Sequence, residues 1–144
     1  MKIFYVTRLF SGLEDSFAKK KWEPSGVPTI YKIIEEIDEN HKPHFIFTSK
    51  DSGKGFSSSW CESADKINKI SGLKNNVFII SGVDFFPEWF GKKLRIILRE
   101  IRQLILVVYQ FIKFKPDIVY CDHANVLIGA FLTRAQKKVP VVFR

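Results

Sequence analysis

Four cationic side chains recur along one segment at the spacing of a single helix face. They are Lys92, Arg95, Arg99 and Arg102, which follow one another at intervals of three, four and three residues. Aliphatic residues fall between them and occupy the opposite side of such a helix. We expect a solvated cationic face and an apolar face packed on the sheet. A stripe of cations of this kind suits an acceptor carrying negative charge or an anionic membrane surface, where each contributes on the order of 1 kcal/mol.

A second candidate site is the glycine at the start of a predicted helix. Gly26 and its neighbour Ser25 precede Pro28, and apolar residues at helical spacing continue to about Asn40. The N-terminus of a helix offers free backbone N–H groups and a partial positive charge to a phosphate, and glycine permits close approach. We therefore consider a diphosphate-binding role for Gly26 and Ser25. The alternative is that Gly26 only eases the loop into the helix.

Two further polar residues directly follow predicted strands, where ligands bind in open parallel sheets. His123 follows the strand that ends at Cys121 and is a weak candidate for a general base or an acceptor contact; the alternative is an exposed residue near a helix cap. Asp84 follows the strand at Val77 and could orient an acceptor hydroxyl or serve a turn. His41 and His44 precede a strand instead, and we interpret both as surface residues.

The elements that would position these residues alternate along the chain. Short apolar runs predict buried strands near Ile3, Phe45, Val77, Ile118 and Val141. Helices are predicted from Gly26 to about Asn40, from about Trp60 to Ile70, from near Gly91 to Phe114, and from an Asn125 cap to about Lys138. The stretch from Ser11 to Glu23 is polar, and we interpret its Lys19-Lys20-Lys21 run as a solvated loop face. Alternating strands and helices predict an α/β fold, a doubly wound parallel sheet of the Rossmann-like type.

Length, composition and charge restrict the class of protein. The chain has 144 residues, of which 46% are hydrophobic, and a net charge of +8, so we expect a single domain with a sizeable core. The two cysteines, Cys61 and Cys121, show no metal-ligand spacing, and we expect reduced thiols and no metal. No apolar run is long enough for a signal peptide or a spanning helix. The expected location is cytoplasmic, with peripheral contact at the inner face of a membrane left open.

Several motifs that would define other functions do not occur in the sequence. There is no Gly-x-Gly-x-x-Gly after the first strand, which argues against dinucleotide binding of the dehydrogenase type. There is no Gly-x4-Gly-Lys-Ser/Thr motif for a P-loop either. The basic helix has mainly aliphatic residues between its cations, whereas nucleic-acid binding would favour interleaved aromatic and polar groups. We expect no cofactor and no nucleic-acid partner.

Three stretches, taken in order, resemble the N-terminal domain of retaining glycosyltransferases of family four. The first is the early strand Lys2 to Val6, followed by the loop Ser25-Gly26-Val27-Pro28. The second, Lys115 to His123 (KPDIVYCDH), is similar to the strand written KPDIVHVH in that family. The third, Val139 to Phe143 (VPVVF), is similar to the IPVV strand of that family. The resemblance spans the whole chain, and its specificity comes from order and spacing.

The resemblance implies the incomplete first half of a two-domain GT-B enzyme, with residues 1–144 as one truncated acceptor-side domain. The implied reaction transfers a hexose from a nucleotide-diphosphate sugar to a glycan or lipid-linked acceptor, in polysaccharide or glycolipid synthesis. Family members contact the donor diphosphate through the loop that corresponds to Gly26 and Ser25. Their Glu-x7-Glu motif lies in a second domain, and no two glutamates here have that spacing. The missing C-terminal domain is therefore an expected partner, and the fragment alone is expected to be inactive.

Two other functions remain open from the sequence. One is a sugar-nucleotide epimerase of the same fold, which would also need a second domain. The other is a non-catalytic α/β module that binds an anionic membrane surface through the basic helix.

Overall fold

The computed structural model describes residues 1–26, 28–49, 64–82, 87, 89 and 91–144. Within these ranges the chain forms an α/β fold with one six-stranded sheet in the spatial order β3-β4-β2-β1-β5-β6. The strands are β1 (Lys2–Arg8), β2 (Lys42–Thr48), β3 (Ile67–Asn68), β4 (Val77–Ile80), β5 (Ile118–Cys121) and β6 (Val141–Phe143). Five strands are parallel, and the short edge strand β3 pairs antiparallel with β4. The predicted parallel sheet is confirmed.

Helices cover both faces of this sheet. They are α1 (Ser11–Ala18), α2 (Pro28–Asn40), α3 (Lys92–Phe114) and α4 (Val126–Ala135), with a 3-10 turn at His123–Asn125 before α4. Successive side chains of a strand point to opposite faces, so the central strand β1 supplies two separate cores. Ile3 and Tyr5 pack with α1 and α2, whereas Phe4 and Val6 pack with α3 and α4. The molecule is therefore a three-layer arrangement, as the alternation of strands and helices predicted.

The sequence assigned no helix to the stretch from Ser11 to Glu23, yet residues Ser11–Ala18 form helix α1. The run Lys19-Lys20-Lys21 that follows α1 is exposed, as predicted. Leu13 and Phe17 are four residues apart, and both are fully buried in the core beneath α1 and α2. The charged residues of this stretch made it resemble a loop, although Leu13 and Phe17 have the spacing of neighbours on one helix face.

The helix predicted from about Trp60 to Ile70 is wrong in its described part. Residues 64–70 contain no helix and instead form β3, which pairs with β4. Residues 50–63, which include the rest of that segment, lie outside the described residues, as does Cys61. Helix α4 also ends at Ala135, three residues before the predicted end.

The prediction that every strand is buried fails at β6. Val142 and Phe143 are exposed, because β6 is an edge strand that pairs only with β5 in the described sheet. The prediction that His44 lies on the surface is also wrong. Strand β2 starts at Lys42, two residues earlier than the sequence indicated, and this places His44 inside the sheet beneath α3. His41 is exposed, as predicted.

Helix α3 presents to the sheet a face that the sequence did not predict. Gln103, Val107 and Gln110 are its buried residues, whereas the aliphatic residues predicted to pack inward are exposed or half-buried. The Arg99 side chain retains only 13% of its exposure, and Arg102 is also largely covered. The expectation of a solvated cationic stripe over a buried apolar face is therefore wrong, and Lys92 is the exposed member of the four.

Candidate functional site

The connections between strands create a crevice between β1 and β5. From β1 the chain proceeds to β2 and then to β4 on one side of the sheet, and returns through α3 to β5 on the other side. The loops that follow the neighbouring strands β1 and β5 therefore run to opposite sides, which leaves a crevice between them. In doubly wound sheets this switch point, at the carboxyl ends of the strands, is where ligands bind.

The carboxylate of Asp122 ties the two strands together at this point. One oxygen, Oδ2, accepts hydrogen bonds from the Thr7 hydroxyl at 2.9 Å and from the Arg8 backbone N–H at 2.7 Å. The other, Oδ1, accepts from the Asn125 backbone N–H at 3.1 Å and from its side-chain amide at 2.7 Å. Four donors occupy both oxygens, so Asp122 holds the rim of the crevice and is poorly placed to accept a proton from a substrate.

The same network reaches a third strand. The Thr48 hydroxyl at the end of β2 donates to the side-chain oxygen of Asn125 at 2.7 Å. Thr7, Thr48 and Asn125 are all buried, and satisfied polar networks in such places rigidify their surroundings. Asn125 occupies the N-cap position of α4, as predicted, but its side chain makes no cap hydrogen bond. Asp122 accepts from the turn, and the amide of Asn125 serves the network.

A cleft of about 380 Å³ lies against this rim. Its lining residues are Tyr5, Thr7, Thr29, Ile30, Tyr120, Asp122, His123, Ala124 and Arg144. Tyr5 on β1 and Tyr120 on β5 stack with a centroid distance of 4.8 Å and an interplanar angle of 5°. Burial raises the pKa of Tyr5 well above its ordinary value, and the charge of Tyr120 adds to this shift while Arg144 opposes it. Tyr5 therefore keeps its hydroxyl proton at neutral pH.

The polar groups around the cleft favour an anionic or hydroxyl-rich ligand. Arg144 brings a permanent positive charge, and His123 is exposed at the opening. Thr29 lies in the first turn of the thirteen-residue helix α2, where free backbone N–H groups and the helix dipole add positive potential. Because four donors already occupy both oxygens of Asp122, the groups of the cleft left for a ligand are hydroxyl groups, one imidazole and one guanidinium.

The predicted phosphate-binding residues lie just outside this cleft. Gly26 and Ser25 are exposed and precede Thr29 by three and four residues, but they are not among the residues that line it. The Ser25 backbone N–H donates to the Gly12 carbonyl at 2.8 Å, which fastens the loop to α1. Gly26 has φ +93°, so a side chain there would strain the backbone even though the space around it is open.

The close backbone approach is found at Gly12. A Cβ atom there would lie 1.7 Å from the Ser25 carbonyl oxygen, so this glycine allows the loop to pack on the start of α1. The sequence interpretation assigned no role to Gly12. The sequence did offer a signal for such a role, because Gly12 follows β1 and comes just before Leu13 and Phe17, two apolar residues at helical spacing.

The other candidates are not assembled at the cleft. Asp84 lies outside the described residues. Arg102, from the predicted cationic stripe, donates to the Ser81 carbonyl at 3.1 Å and pairs with Asp65 at 2.7 Å. Arg99 lies 3.6 Å from Glu100. Arg102 therefore contacts residues next to β3 and β4, away from the cleft between β1 and β5.

Sequence reasoning missed most residues of the cleft but did find His123. Thr7, Asp122 and Arg144 each stand at or just beyond the end of a parallel strand, which is the position that the switch-point rule favours. Those strand-end positions could be recognised from the sequence. The stacking of Tyr5 on Tyr120 could not be predicted, since it depends on the register of β1 against β5.

Within the described ranges, no three His, Cys, Asp or Glu side chains are grouped closely enough to hold a metal ion. Cys121 is buried, and burial beside Asp122 raises the pKa of its thiol to about 12. It is therefore not a reactive nucleophile at neutral pH. No protein-family model and no curated protein matches this chain.

Proposed function

We propose that this chain is the acceptor-side domain of a glycosyltransferase that moves a hexose from a nucleotide-diphosphate sugar to a glycan or lipid-linked acceptor. The observation that carries the proposal is the cleft between β1 and β5, at the switch point of the sheet. Its guanidinium, imidazole and hydroxyl groups, together with the first turn of α2, suit a ligand that combines phosphate and sugar hydroxyls. The resemblance described from the sequence supports the same reaction.

In this proposal the residues have separate roles. Arg144 and the N-terminus of α2 bind negative charge at the cleft. His123, exposed at the opening, contacts an acceptor hydroxyl and is a candidate base for its proton. The donor diphosphate approaches Gly26 and Ser25 from a second domain, which would carry the remaining donor contacts.

Transfer then requires both domains, because the donor and acceptor must be held together in a reactive orientation. We expect the 144-residue chain by itself to bind nucleotides weakly and to transfer no sugar. A sugar-nucleotide epimerase would use the same fold without an acceptor. Product analysis separates the two, since an epimerase converts the free nucleotide sugar and a transferase does not.

A titration of the isotopically labelled chain with UDP, GDP and their hexose conjugates tests the cleft. We expect backbone resonances of Thr29, His123 and Arg144 to shift in fast exchange. Arg144→Gln should weaken binding several-fold through the loss of one charge-assisted contact. Arg134→Gln, which removes an exposed arginine on α4, is the matched control and should bind as the unaltered chain does.

Two results would contradict the proposal. One is the absence of nucleotide-dependent shifts at the cleft, or equal weakening by Arg144→Gln and Arg134→Gln. The other is turnover of a nucleotide sugar by the 144-residue chain alone, which would show that no second domain is needed.

A further inference from the structure

The outward face of helix α3 is apolar over its whole length. Six exposed residues follow one another on it at intervals of three or four: Leu94, Ile97, Ile101, Ile105, Tyr109 and Ile112. Helix α4 continues the patch with Val126, Leu127 and Phe131, and Leu127 is 74% exposed. Soluble surfaces rarely expose a contiguous apolar patch of this kind without an interaction that covers it.

The two helices also meet in an apolar groove. A cavity of about 310 Å³ lies between them, lined by Ile96, Ile97, Glu100, Ile101, Leu104, Leu127 and Ile128. Among the described residues that line it, Glu100 alone is charged. The groove joins the exposed stripe of α3 to that of α4, so the patch is one continuous surface, which we call the α3–α4 surface.

The positive charge of the protein is concentrated in the same part of the chain. Residues 92–144 contain eleven basic and three acidic residues and so carry the entire net charge of +8. Residues 1–91 contain twelve of each sign and are neutral. The helical layer with the apolar surface is therefore also the cationic layer.

Lysines stand at both ends of the apolar stripe. Lys92 and Lys93 are exposed at the start of α3. At its other end, Lys115, Lys137 and Lys138 line a cleft of about 460 Å³ together with Ile112. An apolar helix face between two groups of cations matches the interface of an anionic bilayer, where the acyl chains lie beside negatively charged headgroups.

We infer that the α3–α4 surface docks on an anionic membrane, with α3 lying in the plane of the interface. Its exposed isoleucines enter the boundary of the acyl chains, and the lysines at its ends contact lipid phosphates. None of the helices that the structure describes is long and apolar enough to cross a bilayer. This inference does not depend on the proposed transferase activity.

Charge argues against a second copy of the chain as the occupant of this surface. Symmetric pairing would bring together two copies of α3, each with six basic residues and one acidic residue, and like charges across an interface oppose association. An anionic bilayer provides the opposite charge over a wide area and needs no detailed complementarity of shape. An acidic protein partner would share the charge preference, and the test below separates it from lipid.

Sedimentation of the chain with vesicles tests the inference directly. We expect binding to vesicles of phosphatidylcholine with phosphatidylglycerol, weak binding to phosphatidylcholine alone, and no sedimentation without lipid. Ile105→Ser should lower the partition coefficient roughly tenfold, because it removes one buried aliphatic side chain from the membrane. Ile67→Ser alters an exposed isoleucine on β3 and is the matched control, which should bind as before.

A charge-matched pair of variants tests the lysines. Lys92→Gln, Lys93→Gln and Lys115→Gln combined should reduce binding to anionic vesicles by about tenfold or more. Lys19→Gln, Lys69→Gln and Lys74→Gln remove the same charge from exposed positions outside α3 and α4, and should have a much smaller effect.

Three outcomes would overturn the inference. These are no binding to anionic vesicles, equal binding to neutral ones, and equal loss in both members of either variant pair. A dimer that Ile105→Ser dissociates, with no lipid binding, would assign the surface to a second copy. Binding to an acidic protein without lipid binding would likewise assign it to a protein partner.

Discussion

Helices α2 and α3 cover opposite faces of one sheet but turn opposite kinds of surface to solvent. Helix α2 buries Ile34, packs Ile30, Ile33 and Ile37 against the same core, and exposes residues such as Lys32, Glu36 and Glu39. Helix α3 instead exposes isoleucines and covers Arg99 and Arg102. Both helices are amphipathic in sequence. Amphipathicity alone therefore does not decide which face a helix buries.

Polar groups on the sheet explain the orientation of α3. The Gln103 side chain donates to the Ser49 carbonyl at 2.6 Å, and Arg102 donates to the Ser81 carbonyl. Ser49 and Ser81 are buried beyond the ends of β2 and β4. Turning the aliphatic face inward would withdraw these donors from buried carbonyls, at a cost of about 1–3 kcal/mol for each. Strand side chains are apolar beneath both helices, and α3 also packs Leu104, Val107 and Phe111 on them, so these polar contacts are what distinguishes the α3 side.

Truncation of one isoleucine on each helix tests this contrast with the largest expected effect. Ile34→Ala on α2 removes a fully buried side chain and should lower the free energy of unfolding by about 2–5 kcal/mol. Ile101→Ala on α3 alters a residue that is 47% exposed, and we expect a change within about 0.5 kcal/mol. Urea denaturation measures both. Equal losses would mean that the aliphatic face of α3 packs on the sheet after all.

A second test of this comparison removes from each helix one side chain that hydrogen-bonds to a backbone group. On α3, Gln103→Leu eliminates the amide that donates to Ser49, and should cost about 1–3 kcal/mol. On α2, Asp38→Ala eliminates the carboxylate that accepts from the backbone N–H groups of Lys74 and Asn75, with a similar expected cost. Lys93→Leu serves as an exposed control on α3. A neutral result for Gln103→Leu would remove the proposed reason for the orientation of α3.

The smallest expected effect is a pH dependence confined to the α3 side. Burial lowers the pKa of His44, whose Nε2 lies 3.2 Å from Gln110 Oε1 and whose ring stacks on Phe114. The folded state then binds fewer protons than the unfolded chain, so stability rises with pH. This contribution is complete above the unfolded pKa of about 6.5 and falls as the pH drops below it.

Denaturation at pH 7 and pH 5 measures this dependence. We expect His44→Gln to flatten the loss of stability on acidification, and His41→Gln, at an exposed position, to leave it unchanged. Hydrogen exchange should locate the acid-dependent opening in α3 before α2. The same slope in the His44 variant as in the unaltered chain would assign the pH dependence to other groups.

Much of the fold could be predicted from local patterns. Strand β4 was predicted with its observed ends, Val77 and Ile80, because a short apolar run flanked by polar residues has few other interpretations. Helix α3 was predicted within one residue, since Gly91 precedes its start and Pro116 disfavours its continuation beyond Lys115. The antiparallel edge strand β3 was missed, because two residues carry almost no periodicity of their own.

The candidate site was predicted only in part. The switch-point rule directed attention to His123, which follows a parallel strand and lines the cleft, while its role stays a prediction. The rule also applied to Asp122, but two of its four hydrogen bonds come from Thr7 and Arg8, which are 115 and 114 residues away. The sequence does not show that this carboxylate lies within hydrogen-bond distance of the end of β1, where it fixes the rim of the cleft.

By itself, then, the sequence determined the α/β class, the order of most elements and the two-faced character of α3, because these follow from periodicity within a few residues. Only the tertiary structure decided which face of α3 is covered and which residues meet at the cleft. Those outcomes depend on donors and acceptors brought together from distant strands. An unsatisfied buried carbonyl costs about 1–3 kcal/mol, which is of the same order as the gain from burying one isoleucine, so such contacts can decide between two faces of a helix.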